Sequence, residues 1–293
     1  MKRWISCILA AVMLMCTGLQ VSAAEKGVLA LGADLSSEQR ATVLAAMGIS
    51  EAEAASYQTI YITNDMEHEY LDASLGADVV GKRSLSSVLV IPQESGAGLD
   101  VETHNINYCT IAMYRNALLT AGVSDAKVIV AAPSPISGTA ALIGAVKAYE
   151  AYSGETVSED AFGAATEELV LTGELMDELE NLDSDKISDL IAYLKQYIAE
   201  HGLDDPEKLE ELVRQAAAEM EIELTDEQVS KIVDLLLKLS NLDIDANKLV
   251  SQAKELYNKL DSLGIKLDGE KVGNFITRFV SSIWNLIQSF ISE

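Results

Sequence analysis

Ala126-Lys127-Val128-Ile129-Val130-Ala131-Ala132-Pro133-Ser134-Pro135-Ile136-Ser137-Gly138-Thr139 is the stretch that says most about the fold. Ala126 to Ala132 is short, apolar and rich in β-branched residues, so it reads as a buried strand. Pro133 and Pro135 have no amide to give a ladder and stop it. Ser137 then reads as the cap of a long helix that runs through Tyr152 and ends at Gly154. A buried strand passing into a long helix calls for a sheet with helices packed on it.

The residues upstream extend that pattern. Val28 to Gly32 reads as a first strand. Ser36 with Gln39 three residues on is a capping box, and Gly48 stops the helix it starts. Tyr57 to Thr63 alternates and is rich in β-formers, a second strand, and Asn64 leads into a helix over Asp65 to Leu75. Ser87 to Ile91 and Leu99 to Thr103 flank the turn-forming run Gln93 to Gly98 and read as a β-hairpin with a loose tip. Ile106 to Ala121 reads as a helix ended by Gly122, with Asn105 as its cap. The order is mixed, so residues 25–160 are expected to form an α/β to α+β domain: a single mixed sheet with packed helices, its strand order left open.

Beyond residue 160 the β signal nearly vanishes. Apolar residues recur at helical spacing, as in Ile187, Leu190, Ile191, Leu194 and Ile198, and in Val229, Ile232, Val233, Leu236 and Leu239. Asp183 or Ser184, Asp205 before Pro206, and Thr225 are good N-caps. Residues 161–293 are expected to form an all-α domain of five or six helices, a bundle or a small superhelical array. Its last segment, 272–291, carries Phe275, Phe279, Trp284 and Phe290 on a wide apolar face. A membrane-surface helix looks like this but carries more Lys and Arg, so a bundle helix or a dimer contact is the preferred reading.

The first 24 residues read as a secretory signal peptide. Met1-Lys2-Arg3 supplies cations, Trp4 to Val21 is a short apolar run, and Ser22-Ala23-Ala24 offers the small side chains a signal peptidase requires. Cleavage after Ala24 removes Cys7 and Cys16 and leaves Cys109, which sits in an apolar run and reads as a core residue. The chain carries 21 Lys and Arg against 46 Asp and Glu, a net charge of −25, and loss of Lys2 and Arg3 takes it to −27. Such a surface repels nucleic-acid phosphates and anionic membranes.

Signatures of known chemistry are lacking. The chain has no Gly-x-Ser-x-Gly elbow, His-Glu-x-x-His helix, Walker loop or dinucleotide fingerprint. His68, His104 and His201 stand at no zinc-ligand spacing. Asp243-Ile244-Asp245-Ala246-Asn247 starts like a calcium loop, but Lys248 stands where Gly belongs and Lys254 where the bidentate Glu belongs. No catalytic residue, metal ligand or cofactor is assigned. The polar residues that could form a ligand site are Asn64, His104, Asn105, Tyr114, Asn116, Ser137 and Thr139. Asn116 is a weak helix former inside a good helix, and backbone N–H groups after Pro135 could hold an anion or a carbonyl. The competing explanation is plain capping by Asn105 and Ser137.

Thr110 to Gly122 (TIAMYRNALLTAG), Ala131-Ala132-Pro133, Ser137 to Leu142 (SGTAAL) and Lys147-Ala148-Tyr149-Glu150 together resemble a family of exported proteins of Gram-positive bacteria. It is the YpuA-like family called domain of unknown function 1002. Gly32-Ala33-Asp34-Leu35 and Thr63-Asn64 fit it too. The resemblance implies export and this domain layout, and brings no catalytic residue, cofactor or partner. The expectation is an exported cell-surface or extracellular protein, non-enzymatic, that binds an envelope ligand or protein. The alternatives are an envelope-polymer hydrolase with His104 as base, and a membrane-surface protein tethered by 272–291.

Overall fold

The computed structural model describes residues 26–75, 82–179, 182 and 184–242. The leader, the Asp243 loop and the 272–291 segment lie outside these residues.

Five strands form one mixed sheet in the order β2-β1-β3-β5-β4. They are β1 (Val28–Gly32), β2 (Gln58–Ile62), β3 (Ser87–Pro92), β4 (Leu99–Ile106) and β5 (Ala126–Ile136). β1 runs parallel to β2 and β5 parallel to β4, while β3 lies antiparallel between β1 and β5. The expected hairpin of β3 and β4 is therefore not formed, because β5 is inserted between them. Two features explain this. β5 is apolar on both faces and takes a central place, whereas β4 carries Asp100, Glu102 and His104 on one face and suits an edge. Asp125, just before β5, then pins the 93–98 loop. Its carboxylate accepts from Gly96 N and Gly98 N at 3.0 and 2.9 Å, and its carbonyl accepts from Gln93 N at 2.7 Å.

Helices cover both faces. On one lie α1 (Ser37–Ala46) and the short α2 (Glu51–Ala54). Val43 and Leu44 of α1 meet Leu29, Leu31, Leu89, Ile129 and Ala131 there. α1 begins with the expected capping box of Ser36 and Gln39 and ends before Gly48 at φ 74°. The other face takes α3 (Asn64–Leu75), α4 (Ile111–Thr120), α5 (Thr139–Ser153) and α6 (Glu159–Glu178). α5 comes close enough to the sheet that a Cβ at Gly144 would stand 2.9 Å from Val88.

Several boundaries differ from expectation. β5 runs past Pro133 and Pro135 to Ile136, because four residues bulge out between the Ala131–His104 and Ile136–Ile106 pairs and relieve the prolines of ladder duty. α5 is capped by Gly138 at φ 88° and not by the Ser137 side chain. α4 starts at Ile111 under a capping box of Thr110, and Asn105 is the bulge residue of β4 at φ 58° rather than a cap.

Next come α7 (Ser184–His201), α8 (Pro206–Glu219) and α9 (Asp226–Ser240), the last two capped by Asp205 and Thr225 as the sequence predicts. α6 is shared between the two halves. Phe162, Ala165 and Leu169 close the core beneath the sheet, while Ala164, Leu171 and Leu175 join the core of α7, α8 and α9. The molecule thus has a single mixed sheet with packed helices, followed by helices.

Candidate functional site

The strand directions set where a site belongs. β1, β2, β4 and β5 all end at one edge of the sheet, and β3 begins there. That edge gathers Gly32 to Asp34, Thr63 and Asn64, Ser84 to Ser87, His104 to Asn107, and Ile136 to Thr139. In open α/β sheets the carboxyl ends of the strands form the crevice where ligands bind.

The edge above β1 and β2 is the unusual part. The chain turns out of β1 at Gly32, whose missing side chain lets the Ser84 carbonyl come in; a Cβ would collide with it. Asp34 N donates to Ser84 O at 3.1 Å, and the Asp34 carboxylate accepts from Ser84 N at 2.8 Å. Ser87 Oγ accepts from Gly32 N. Thr63 opens α3 by accepting from Met66 N at 3.3 Å, which sets Asn64 and Glu67 one turn apart. Asn64 Nδ2 donates to Glu67 Oε2 at 3.4 Å. Glu67 is only 2% exposed, and the Ser84 side chain lies close enough to act on its carboxyl. Ser84 and Ser86 are 0% and 4% exposed, and the Ser86 hydroxyl has no hydrogen-bond partner among the described residues. Burial pushes the Glu67 carboxyl above its ordinary range. Ser84 and Asn64 pull it back in part, and the charge of Asp34 raises it again. Buried polar groups are nearly always satisfied, so a buried carboxyl with an unpartnered Ser86 hydroxyl beside it at a strand edge calls for an explanation.

The far end of the same edge is fully bonded. Asn105 Nδ2 donates to Ala132 O at 2.9 Å across the bulge, and Asn107 N and Cys109 N donate to the carbonyls of Ile136 and Ser137. Tyr114, wholly buried, donates its hydroxyl to Gly138 O at 2.6 Å and holds the turn that starts α5 at Thr139. His104 alternates with Val101 along β4 and so faces the α1 side of the sheet, away from Tyr114. No hydrogen bond joins it to Ser137 or to a carboxylate among the described residues. Cys109 is core, and burial pushes its thiol up to about 12.

The structure therefore brings Asn105, Tyr114, Ser137 and Thr139 to one turn, and places Asn64 apart from them. β2 and β4 are the two outer strands, four spacings or about 19 Å apart. Asn116 lies elsewhere again. It is buried between helices, with Nδ2 donating to Ser188 O of α7 at 2.8 Å. Beside it runs a network that sequence reasoning missed. Lys195 Nζ donates to Glu168 Oε1 at 2.6 Å, to Asn116 O at 2.7 Å and to Thr120 Oγ1 at 3.0 Å, and Thr120 donates to Glu168 Oε2. Lys195 and Glu168 are 0% and 1% exposed. This is an ion pair sealed between α4, α6 and α7. Among the described residues no group of three His, Cys, Asp or Glu is arranged as a metal site. Nor is any described helix long and apolar enough to cross a membrane.

Residues 31–256 match the family model described as Protein of unknown function (DUF1002). The chain belongs to the DUF1002 family. It is also 40% identical over 296 residues to the "Uncharacterized protein YpuA" of Bacillus subtilis (strain 168), a match that covers 98% of each chain. No solved structure matches. Two of the sequence runs that resemble DUF1002, Gly32-Ala33-Asp34-Leu35 and Thr63-Asn64, meet at the unsatisfied edge. Another, Ser137 to Leu142, forms the Tyr114-locked turn.

Proposed function

We propose that this DUF1002 protein is an exported binding protein of the cell envelope or its surroundings, and that it takes a polar ligand at the carboxyl edge above β1 and β2. Export rests on the cationic, apolar and small-residue order of Met1 to Ala24. Binding rests on one observation: Glu67, Ser84 and Ser86 bury polar side chains, the Ser86 hydroxyl without a hydrogen-bond partner among the described residues, at the sheet edge where α/β folds receive ligands. Stability alone gives no reason to keep such atoms, since each costs about 1–3 kcal/mol when unpaired. A ligand that donates or accepts hydrogen bonds repays that cost on binding. Asn64 and the exposed Asp34 lie beside these groups, where they can select it.

The test has two arms. Mass spectrometry of the culture medium and envelope fraction should find a chain beginning near Glu25, and a full-length cytosolic chain would sink the export half. Thermal melts of the purified protein with soluble muropeptides and glycerol-phosphate oligomers should find one that raises the midpoint in wild type and not in Asn64→Ala. A shift of equal size in both would move the site elsewhere.

A further inference from the structure

We propose that the open side of β2 is a self-association surface, where two copies of this chain join their sheets, β2 antiparallel to β2 about a two-fold axis. β2 is an outer strand and pairs only with β1 among the described residues. Ala33 N donates to Ile62 O at 2.8 Å, so Ile62, and with it Ile60 and Gln58, turn their peptide groups towards β1. Alternation then sends the N–H and C=O of Thr59 and Tyr61 outwards, where no backbone hydrogen bond reaches them among the described residues. Sheets normally blunt such a side. The opposite outer strand does so, because β4 carries Asp100, Glu102 and His104 and a bulge at Asn105. β2 has none of these devices. Tyr57 to Thr63 holds no charge, proline or glycine. Tyr61 is the most exposed large apolar side chain among the described residues, at 59%.

Charge and geometry both select a second copy as the occupant. A net charge of −25 makes most of one surface repel another like it, so self-contact belongs on an uncharged seam. The strand is also self-complementary, as a two-fold interface requires. With the axis at Ile60, Thr59 of one copy faces Tyr61 of the other. Both residues present outward peptide groups, so each such pair exchanges its N–H···O bonds in both directions. A slip of one residue would set outward groups against inward ones and lose the ladder. Ile60 then meets the Ile60 of the other copy in a close, non-hydrogen-bonded pair, on the side of the sheet where it already packs on the core. On the α1 side the exposed Tyr61 ring gains Thr59 as a cross-strand neighbour.

Sedimentation velocity of the purified protein across micromolar concentrations tests this. Wild type should pass from monomer to dimer as concentration rises. Tyr61→Glu brings an anion of each copy to the seam and should weaken dimerisation about tenfold or more. Tyr61 is exposed, so this variant is expected to fold, and circular dichroism checks that. Glu102→Gln, on the opposite outer strand, should dimerise like wild type. Ile60→Cys reads the register. Cα atoms of a non-hydrogen-bonded pair stand about 4.5 Å apart, within disulfide reach, so mild oxidation should link two copies. Wild type should give no such link, since Cys109 is buried. A wild-type protein that stays monomeric overturns the proposal and gives β2 to another occupant, an extended segment of a different protein or of residues 243–293. Tyr61→Glu dimerising like wild type overturns it as well, as does Ile60→Cys that folds and fails to cross-link.

Discussion

Glu67 is buried with one carboxyl oxygen bonded to Asn64, and that burial makes its proton measurable. Burial raises its pKa in the folded chain, while an unfolded Glu titrates near about 4.3. Below that pH the carboxyl is neutral in both states and adds no penalty. As pH rises towards the folded value, the unfolded chain ionises first and gains, so stability is lost across that window. Wild type should therefore lose stability relative to Glu67→Gln as pH rises above about 4.3, read by urea melts. Parallel curves would mean the carboxyl is not confined as described. The Lys195–Glu168 pair behaves differently because each charge shields the other. Lys195→Met strands a carboxylate in the core, at a cost of about 3–5 kcal/mol, and Lys195→Met with Glu168→Leu should recover much of it. A double variant no better than the single would show that packing, and not charge, is what the site needs. Asn116 was legible as an oddity, a polar residue in an apolar helix. Its partner was not, since Ser188 lies 72 residues away and nothing local in sequence specifies a contact made across helices. Glu67 was unreadable for a simpler reason: acidic residues near a helix start are common, and burial is a property of the folded neighbourhood.

At the scale of elements, local chemistry was enough wherever one residue acts on its own backbone. The caps at Ser36, Asp205 and Thr225 and the stops at Gly48, Gly122 and Gly154 all stand where their side chains, or lack of them, demand. Ser50 with Glu53 was an equally readable capping box that opens the short α2. Pairing of β3 with β4 was not local. A six-residue loop between two strands favours a hairpin until Asp125 brings a third strand into the gap. The β5–α5 turn shows the same dependence on distant residues. Gly138 takes the left-handed φ of 88°, and a Cβ there would run into the Tyr114 hydroxyl and Ile106. Gly138→Ala should thus cost more than about 1 kcal/mol, from strain alone. Tyr114→Phe should cost about 1–3 kcal/mol by leaving the Gly138 carbonyl without its donor. Denaturant midpoints measure both, and an unchanged midpoint in either would deny the turn its lock.

For the whole molecule, the sharp change of pattern near residue 160 separates two compositions but does not separate two cores. α6 begins at Glu159 and lies in both. Phe162 packs on Tyr70 of α3 with ring centroids 4.5 Å apart, and Leu169 is buried beneath the sheet. On its other side α6 supplies Leu171, Leu175 and the Glu168 carboxylate to the helices that follow. A chain ending at residue 158 therefore leaves the α4 and α5 faces bare and should fail to fold. Ending at residue 179 restores Phe162 and Leu169, yet it removes Lys195 and leaves Glu168 beside Thr120 without its cation. That form should fold only when Glu168 is made Leu, which replaces the stranded charge with apolar bulk. The two halves of the intact chain, linked by α6, by the buried ion pair and by the Asn116–Ser188 bond between α4 and α7, should accordingly melt together. Tryptic fragments of wild type at increasing urea, followed alongside circular dichroism, test this. One shared midpoint is expected, and a protease-resistant fragment ending at Lys186 and surviving past the loss of α7 to α9 would show the cores to be independent.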